Sequence, residues 1–182
     1  MRSTAFATFL VLTTSALAMP PVPRKAPEFT IAEPTGKEIL LSSLKGKVVL
    51  MGFVATWCEH CQRFSQMVTK LQTELGPRGF QAVDVAFNPG VTPANVTEFV
   101  RKFGINFPMG YASTDTVMSY LGISMMDRYV YPEVAIIDRK GVIRAQSPPQ
   151  GDPNLQDEKY LRPYLDALLK EGATTSAKKT GP

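Results

Sequence analysis

Residues 47–61 confine this chain to few folds. Lys47-Val48-Val49-Leu50-Met51-Gly52-Phe53-Val54 is apolar and biased to β-branched residues, the pattern of a strand covered on both faces. Trp57-Cys58-Glu59-His60-Cys61 follows at once and holds the only two cysteines, and the only histidine, of 182 residues. Beyond it Phe64, Met67, Val68, Leu71 and Leu75 recur at the spacing of one helical face, until Gly76-Pro77 interrupts the pattern. The cysteine pair is therefore predicted at the junction where a buried strand hands over to a helix.

Two thiols at that spacing form a dithiol/disulfide couple. At a helix start, unpaired backbone N–H groups and the positive end of the helix dipole favour a thiolate on Cys58. Cys61, one turn further in, is expected to be less exposed and to resolve a mixed disulfide. His60 can direct a hydrogen bond or positive charge at the Cys58 sulfur, which stabilises the reduced form and makes the disulfide more oxidising, while Glu59 acts the other way. A bridge across so short a loop removes little chain entropy, which weakens a purely structural reading, and a Cys-x-x-Cys at such a junction points to redox activity.

The first eighteen residues read as a cleavable export signal: Arg2, an apolar stretch from Phe6 to Leu17, then the small-residue site Ala16-Leu17-Ala18. The stretch is short for a membrane span and is interrupted by Thr13, Thr14 and Ser15. Cleavage starts the mature chain at Met19 and places it in the periplasm or outside the cell. The formal charge of +4 falls to +3 when Arg2 leaves. No Lys/Arg cluster is interleaved with aromatics, which argues against nucleic acid as a partner. The remaining length suits one domain: an extended Pro-rich leader at 19–27, a folded domain at 28–171 and a disordered basic tail at 172–182.

Along that domain, Phe29–Ala32 and Glu38–Leu41 are predicted as a short hairpin around Glu33-Pro34-Thr35-Gly36. Phe80–Phe87 reads as the next strand, completing a β-α-β unit. Thr92 and Pro93 suit the start of a helix that runs to about Phe103 and stops at Gly104. Asn106–Met109 is a brief extended piece, and Thr114–Leu121 a short helix. Glu133–Ile137 and Val142–Ala145 form a hairpin. Leu161, Tyr164, Leu165, Leu168 and Leu169 line a closing helix, in which Pro163 is tolerable only near the first turn. The architecture is α/β, a central mixed sheet with helices on both faces.

Three segments together carry a resemblance: Gly52-Phe53-Val54-Ala55-Thr56-Trp57-Cys58-Glu59-His60-Cys61, then Phe103-Gly104-Ile105-Asn106-Phe107-Pro108, then Tyr131-Pro132 before a strand and the Asp138–Gly141 turn. The chain resembles the thioredoxin fold, and within it the TlpA/ResA-like branch of exported thiol:disulfide oxidoreductases of the redoxin (AhpC/TSA) superfamily, over residues 26–170. The resemblance implies a thioredoxin-like domain with an N-terminal β-hairpin extension. It implies a cis Tyr131–Pro132 peptide facing Cys58, with the Tyr131 backbone free to pair with a substrate peptide. Trp57 is expected to shield the pair and shape the approach to it. No cofactor is implied beyond the Cys58–Cys61 disulfide. The implied partners are protein thiols and disulfides, apocytochrome c among them, and a membrane thiol reductase or oxidase.

Three positions depart from the family pattern. Thioredoxin carries a buried acid where this chain has Gly52, and related reductases often carry one where it has Phe64. Glu133, directly after Pro132, is then the candidate proton relay, although a strand carboxylate is ordinarily exposed. His60 replaces a common proline and is shared with the strongly oxidising DsbA group, whose helical insertion does not fit in this length. The expected function is an exported oxidoreductase working as a reductase, with a DsbA-like thiol oxidase as an alternative. Another alternative is a copper chaperone using Cys58, Cys61 and His60, with Met125-Met126 as thioethers, although such chaperones use a longer cysteine spacing and a distant histidine. A peroxidase would need Pro-x-x-x-Thr-x-x-Cys, which the positions before Cys58 do not supply. A non-catalytic module would need a locked disulfide.

Overall fold

The computed structural model describes residues 19–177, with side chains to Glu171. The predicted export signal, residues 1–18, and the last five residues of the tail lie outside them.

Every residue of the strand Val48–Val54 (β4) is buried, because both of its faces are covered. Val48, Leu50 and Val54 enter one core, which α1 (Glu59–Leu75), α2 (Pro93–Phe103) and α5 (Glu158–Ala177) share. Val49, Met51 and Phe53 enter a second, which is closed by α3 (Thr114–Leu121), Phe29 and Ile31. This alternation at period two is what a continuous apolar run means when a strand lies between two layers. The leucines and valine of α1 contribute ~1.5–3 kcal/mol per buried side chain to the first core.

The eight strands, with Arg24–Lys25 as β1, lie in the order β1-β8-β7-β4-β5-β6-β2-β3. The parallel block is β4, β5 (Phe80–Ala86) and β6 (Met109–Tyr111), joined through α1 and α2. β7 (Glu133–Ile137) runs antiparallel to β4, and β8 (Val142–Gln146) antiparallel to β7. The expected hairpin is present as β2 (Thr30–Ala32) and β3 (Glu38–Leu40), and it extends the sheet through Ala32 opposite Tyr111. Thr92 and Asn95 form a reciprocal capping box on α2, with Pro93 inside its first turn, and Gly104 ends the helix with φ +63°.

Four expectations on the fold are corrected. The leader is not uniformly extended coil: Arg24–Lys25 is a strand, β1, paired with β8, and the Arg24 guanidinium anchors it to Gln146 Oε1 at 2.8 Å. The extended piece near Pro108 is a strand shifted to Met109–Tyr111, because Asp84 and Ala86 offer pairing partners there. Pro163 lies in the second turn of α5, where its missing N–H removes an intrahelical bond. Burial of Leu161, Leu165, Leu168 and Leu169 offsets that loss. The same helix runs on to Ala177, through the first six residues read as tail, since each added residue of an existing helix gains a bond. A short helix, α4 (Pro153–Gln156), was also not expected. No described helix is long and apolar enough to cross a membrane.

Candidate active site

Cys58 is the N-cap of α1, a position usually held by Ser, Thr, Asp or Asn because a side-chain acceptor must meet an unpaired N–H. Here the sulfur does this, accepting from Cys61 N at 3.4 Å. Cys58 is half-buried and Cys61 fully buried, and both are free thiols. Ala55 N donates to Cys61 Sγ at 3.5 Å. Burial pushes the Cys61 thiol well up, against that hydrogen bond. One sulfur can thus meet a partner while the other waits inside as a neutral thiol.

The second half of the site comes from the loop before β7. The Tyr131–Pro132 peptide is cis, and Cys58 Sγ lies 4.0 Å from the Tyr131 carbonyl oxygen. An aromatic cluster holds the loop there: Tyr131 packs on Phe87 with ring centres 4.8 Å apart and meets Tyr129 and Trp57 edge-on at 5.6 and 5.7 Å. Gln156 of α4 donates to the Pro132 carbonyl at 3.0 Å. Asn88 accepts from Thr56 N at 3.0 Å, tying the end of β5 to the turn before Trp57. Trp57 is 65% exposed and stands next in the chain to Cys58 as open surface.

His60 and Glu59 point outward on the first turn of α1 and are exposed. Among the described residues no hydrogen bond joins His60 to Cys58; its neighbours around a shallow depression are Arg63, Phe64 and Gln156. Glu59 is in an exposed ion pair with Arg63 at 3.8 Å, worth little in water. Among the described residues no group of three or more His, Cys, Asp or Glu side chains could hold a metal ion.

Glu133 departs from the ordinary expectation for a strand carboxylate, because it is fully buried. Its Oε2 accepts from Ser147 Oγ at 2.5 Å, while Oε1 has no hydrogen-bond partner. Burial raises its pKa to about 7. It pairs across the sheet with Phe53, and no hydrogen bond connects it to either cysteine. A second buried acid, Asp84, was missed altogether. It sits in the middle of β5, directly opposite Gly52, accepts from Ser65 Oγ of α1 at 2.5 Å, and leaves Oδ1 without a partner. Its pKa is likewise raised to about 7 by burial. The one signal in the sequence was a lone acid within the apolar strand Phe80–Phe87.

The AhpC/TSA family profile matches residues 22–146, from before β1 to the end of β8, with both cysteines and the cis proline inside. The chain belongs to the AhpC/TSA family. Within it, this AhpC/TSA protein is 30% identical over 151 residues to the thiol-disulfide oxidoreductase ResA of Bacillus subtilis, covering 82% of this chain and 76% of that protein. It is 29% identical over 119 residues to ResA of Geobacillus thermodenitrificans, covering 65% of this chain but only 64% of that protein. A solved structure of a thioredoxin-family thiol:disulfide interchange protein from Chlorobium tepidum superposes with a TM-score of 0.66 at 24% identity, over 82% of this chain and 99% of that one, and shows the thioredoxin fold.

Proposed function

We propose that this AhpC/TSA protein is an exported thiol:disulfide oxidoreductase that reduces disulfides in other proteins through Cys58 and Cys61. The observation that carries this reading is Cys58 Sγ, half-buried at a helix start and 4.0 Å from the Tyr131 carbonyl, with its partner Cys61 fully buried. The Cys58 thiolate attacks a substrate disulfide, forming a mixed disulfide and releasing one substrate thiolate. Cys61 then loses its proton and attacks Cys58 Sγ, forming the Cys58–Cys61 bond and releasing the second substrate thiolate. The edge of the Tyr131 backbone beside the cis proline serves as the seat for the substrate peptide. Apocytochrome c disulfides are a fitting substrate class, and a membrane thiol reductase a fitting electron donor.

The reductase direction is supported by what surrounds the sulfurs. An oxidant needs a stabilised reduced thiolate, yet His60 makes no hydrogen bond to Cys58 and burial disfavours a Cys61 thiolate. Equilibration of the purified protein with glutathione or dithiothreitol buffers should give a reduction potential nearer to ~ −270 mV than to ~ −120 mV. A value at the oxidising end would reverse the direction. The form recovered from the periplasm should begin at Met19.

A further inference from the structure

The core space between Gly52 and Phe64 contains a carboxylate. Asp84 reaches it from the neighbouring strand. Its register opposite Gly52 puts it on the face shared by Leu50, Val54, Ala82 and Ala86, the face that α1 covers. The lack of a side chain at Gly52 is what admits it: a Cβ there would collide with Asp84 Oδ1 and come within 2.8 Å of the Phe64 ring. Ser65, one turn after Cys61 on α1, is fully buried and donates to Oδ2. That leaves Oδ1 as a buried, unpartnered acceptor, which is costly unless it has a use.

We propose that Asp84, positioned by Ser65 and admitted by Gly52, is the proton acceptor and donor for Cys61 during disulfide exchange. When Cys61 attacks the mixed disulfide, its S–H proton passes to the Asp84 carboxylate, the Cys61–Cys58 S–S bond forms, the Cys58–substrate S–S bond breaks, and the departing substrate thiolate takes a proton from water. In the reverse direction an incoming thiolate attacks Cys58 Sγ, and the Cys61 thiolate released takes its proton back from the Asp84 carboxylic acid. The titratable neighbour of Asp84 is Cys61 on α1, whose thiol feels the carboxylate's charge. The elements flanking it in the sheet offer Gly52 from β4 and Met109 from β6, neither of which titrates. Glu133 is a weaker candidate, since it shares the strand face of Ala135 and Ile137, which belong to the other core, and is committed to Ser147.

The inference rests on the proposed roles of Cys58 and Cys61, and the test separates the two. Cys58 is loaded with 5-thio-2-nitrobenzoate and release of the coloured thiolate by Cys61 is followed in a single turnover against pH. In the wild type the rate should rise with pH through an inflection near 7, as Asp84 becomes a carboxylate able to accept the proton. Asp84→Asn should slow release by about a hundredfold at neutral pH and remove that inflection, whereas Glu133→Gln should keep it. An unchanged rate and profile in Asp84→Asn, or loss of the inflection in Glu133→Gln instead, would overturn the assignment. Failure of Cys58 to take up the label would count against the site itself. If Asp84→Asn does not fold, the wild type labelled with 13C-aspartate answers by infrared difference between reduced and oxidised protein. One buried aspartic acid should change its protonation with the redox state at neutral pH, and no change would refute the role.

Discussion

Cys58→Ser should abolish disulfide exchange, whereas Cys61→Ser should attack once and stay bonded to its substrate. The two sulfurs are chemically identical but not equivalently placed. Cys58 is accessible beside the Tyr131 carbonyl and receives the Cys61 N–H; Cys61 is closed off on the inner face of α1 with only Ala55 N donating to it. A serine hydroxyl at position 58 is not ionised at neutral pH and has no base within hydrogen-bond reach, so the loss of rate should be on the order of a thousandfold or more. Removing Cys61 spares the first attack and eliminates the resolving one. The check is reduction of a model protein disulfide, with intact-mass analysis under non-reducing conditions. Cys61→Ser should accumulate a protein–substrate adduct that dithiothreitol dissolves, and Cys58→Ser none. Near-wild-type turnover by Cys58→Ser, or an adduct on Cys61 in that variant, would contradict the assignment of attacker and resolver.

The reduced protein should lose stability as pH rises from 5 to 8, the opposite of what salt-bridged carboxylates produce. Asp84 and Glu133 both have native pKa values raised to about 7 by burial, against ordinary values of 3.8 and 4.5. The folded state therefore holds protons that the unfolded chain has already released in that interval. Stability contributed by such a group is complete below the unfolded pKa and disappears as pH climbs through the folded one. At ~1.4 kcal/mol per unit, each acid accounts for a few kcal/mol across the window. Glu28 has the opposite sign, since hydrogen bonds from Ser42 lower its pKa, but its contribution is lost only as pH falls into the acid range. Urea midpoints at pH 5, 6, 7 and 8 measure the effect, and Asp84→Asn and Glu133→Gln should each flatten part of it. A midpoint that rose or stayed level over this range in the wild type would refute the buried, raised state of both acids.

How much of this was legible in the sequence depends on whether the deciding partner was local. β4, the cysteine pair and α1 could be read because each is specified by its own periodicity and by Gly76-Pro77 immediately beyond. The α2 start was legible for the same reason, since Thr92 and Pro93 are adjacent in the chain, whereas the Asn95 half of the capping box was not read. Glu133 misled because its burial depends on Ser147, fourteen residues away and just past the end of β8. Asp84 was invisible as a site residue because its meaning is lateral: nothing in Val83-Asp84-Val85 reveals that Gly52 is its neighbour across the sheet. The gap left by a glycine and the acid filling it are one feature in space and two unrelated letters in the chain. β1 was lost in the same way, since two residues amid prolines carry no period and become a strand only when β8 is beside them.

That last pairing bears on how the molecule comes to be folded. Arg24 is tied to Gln146, 122 residues later, and β2 meets its inner neighbour β6 only at Tyr111. β1 can thus be placed only once β8 is made, and both borders of the sheet stay unfinished until β6 and β8 exist. Contacts so distant along the chain make for slow assembly. The cysteine pair, lying in the early β4–α1–β5 unit, is then built before the sheet around it is sealed.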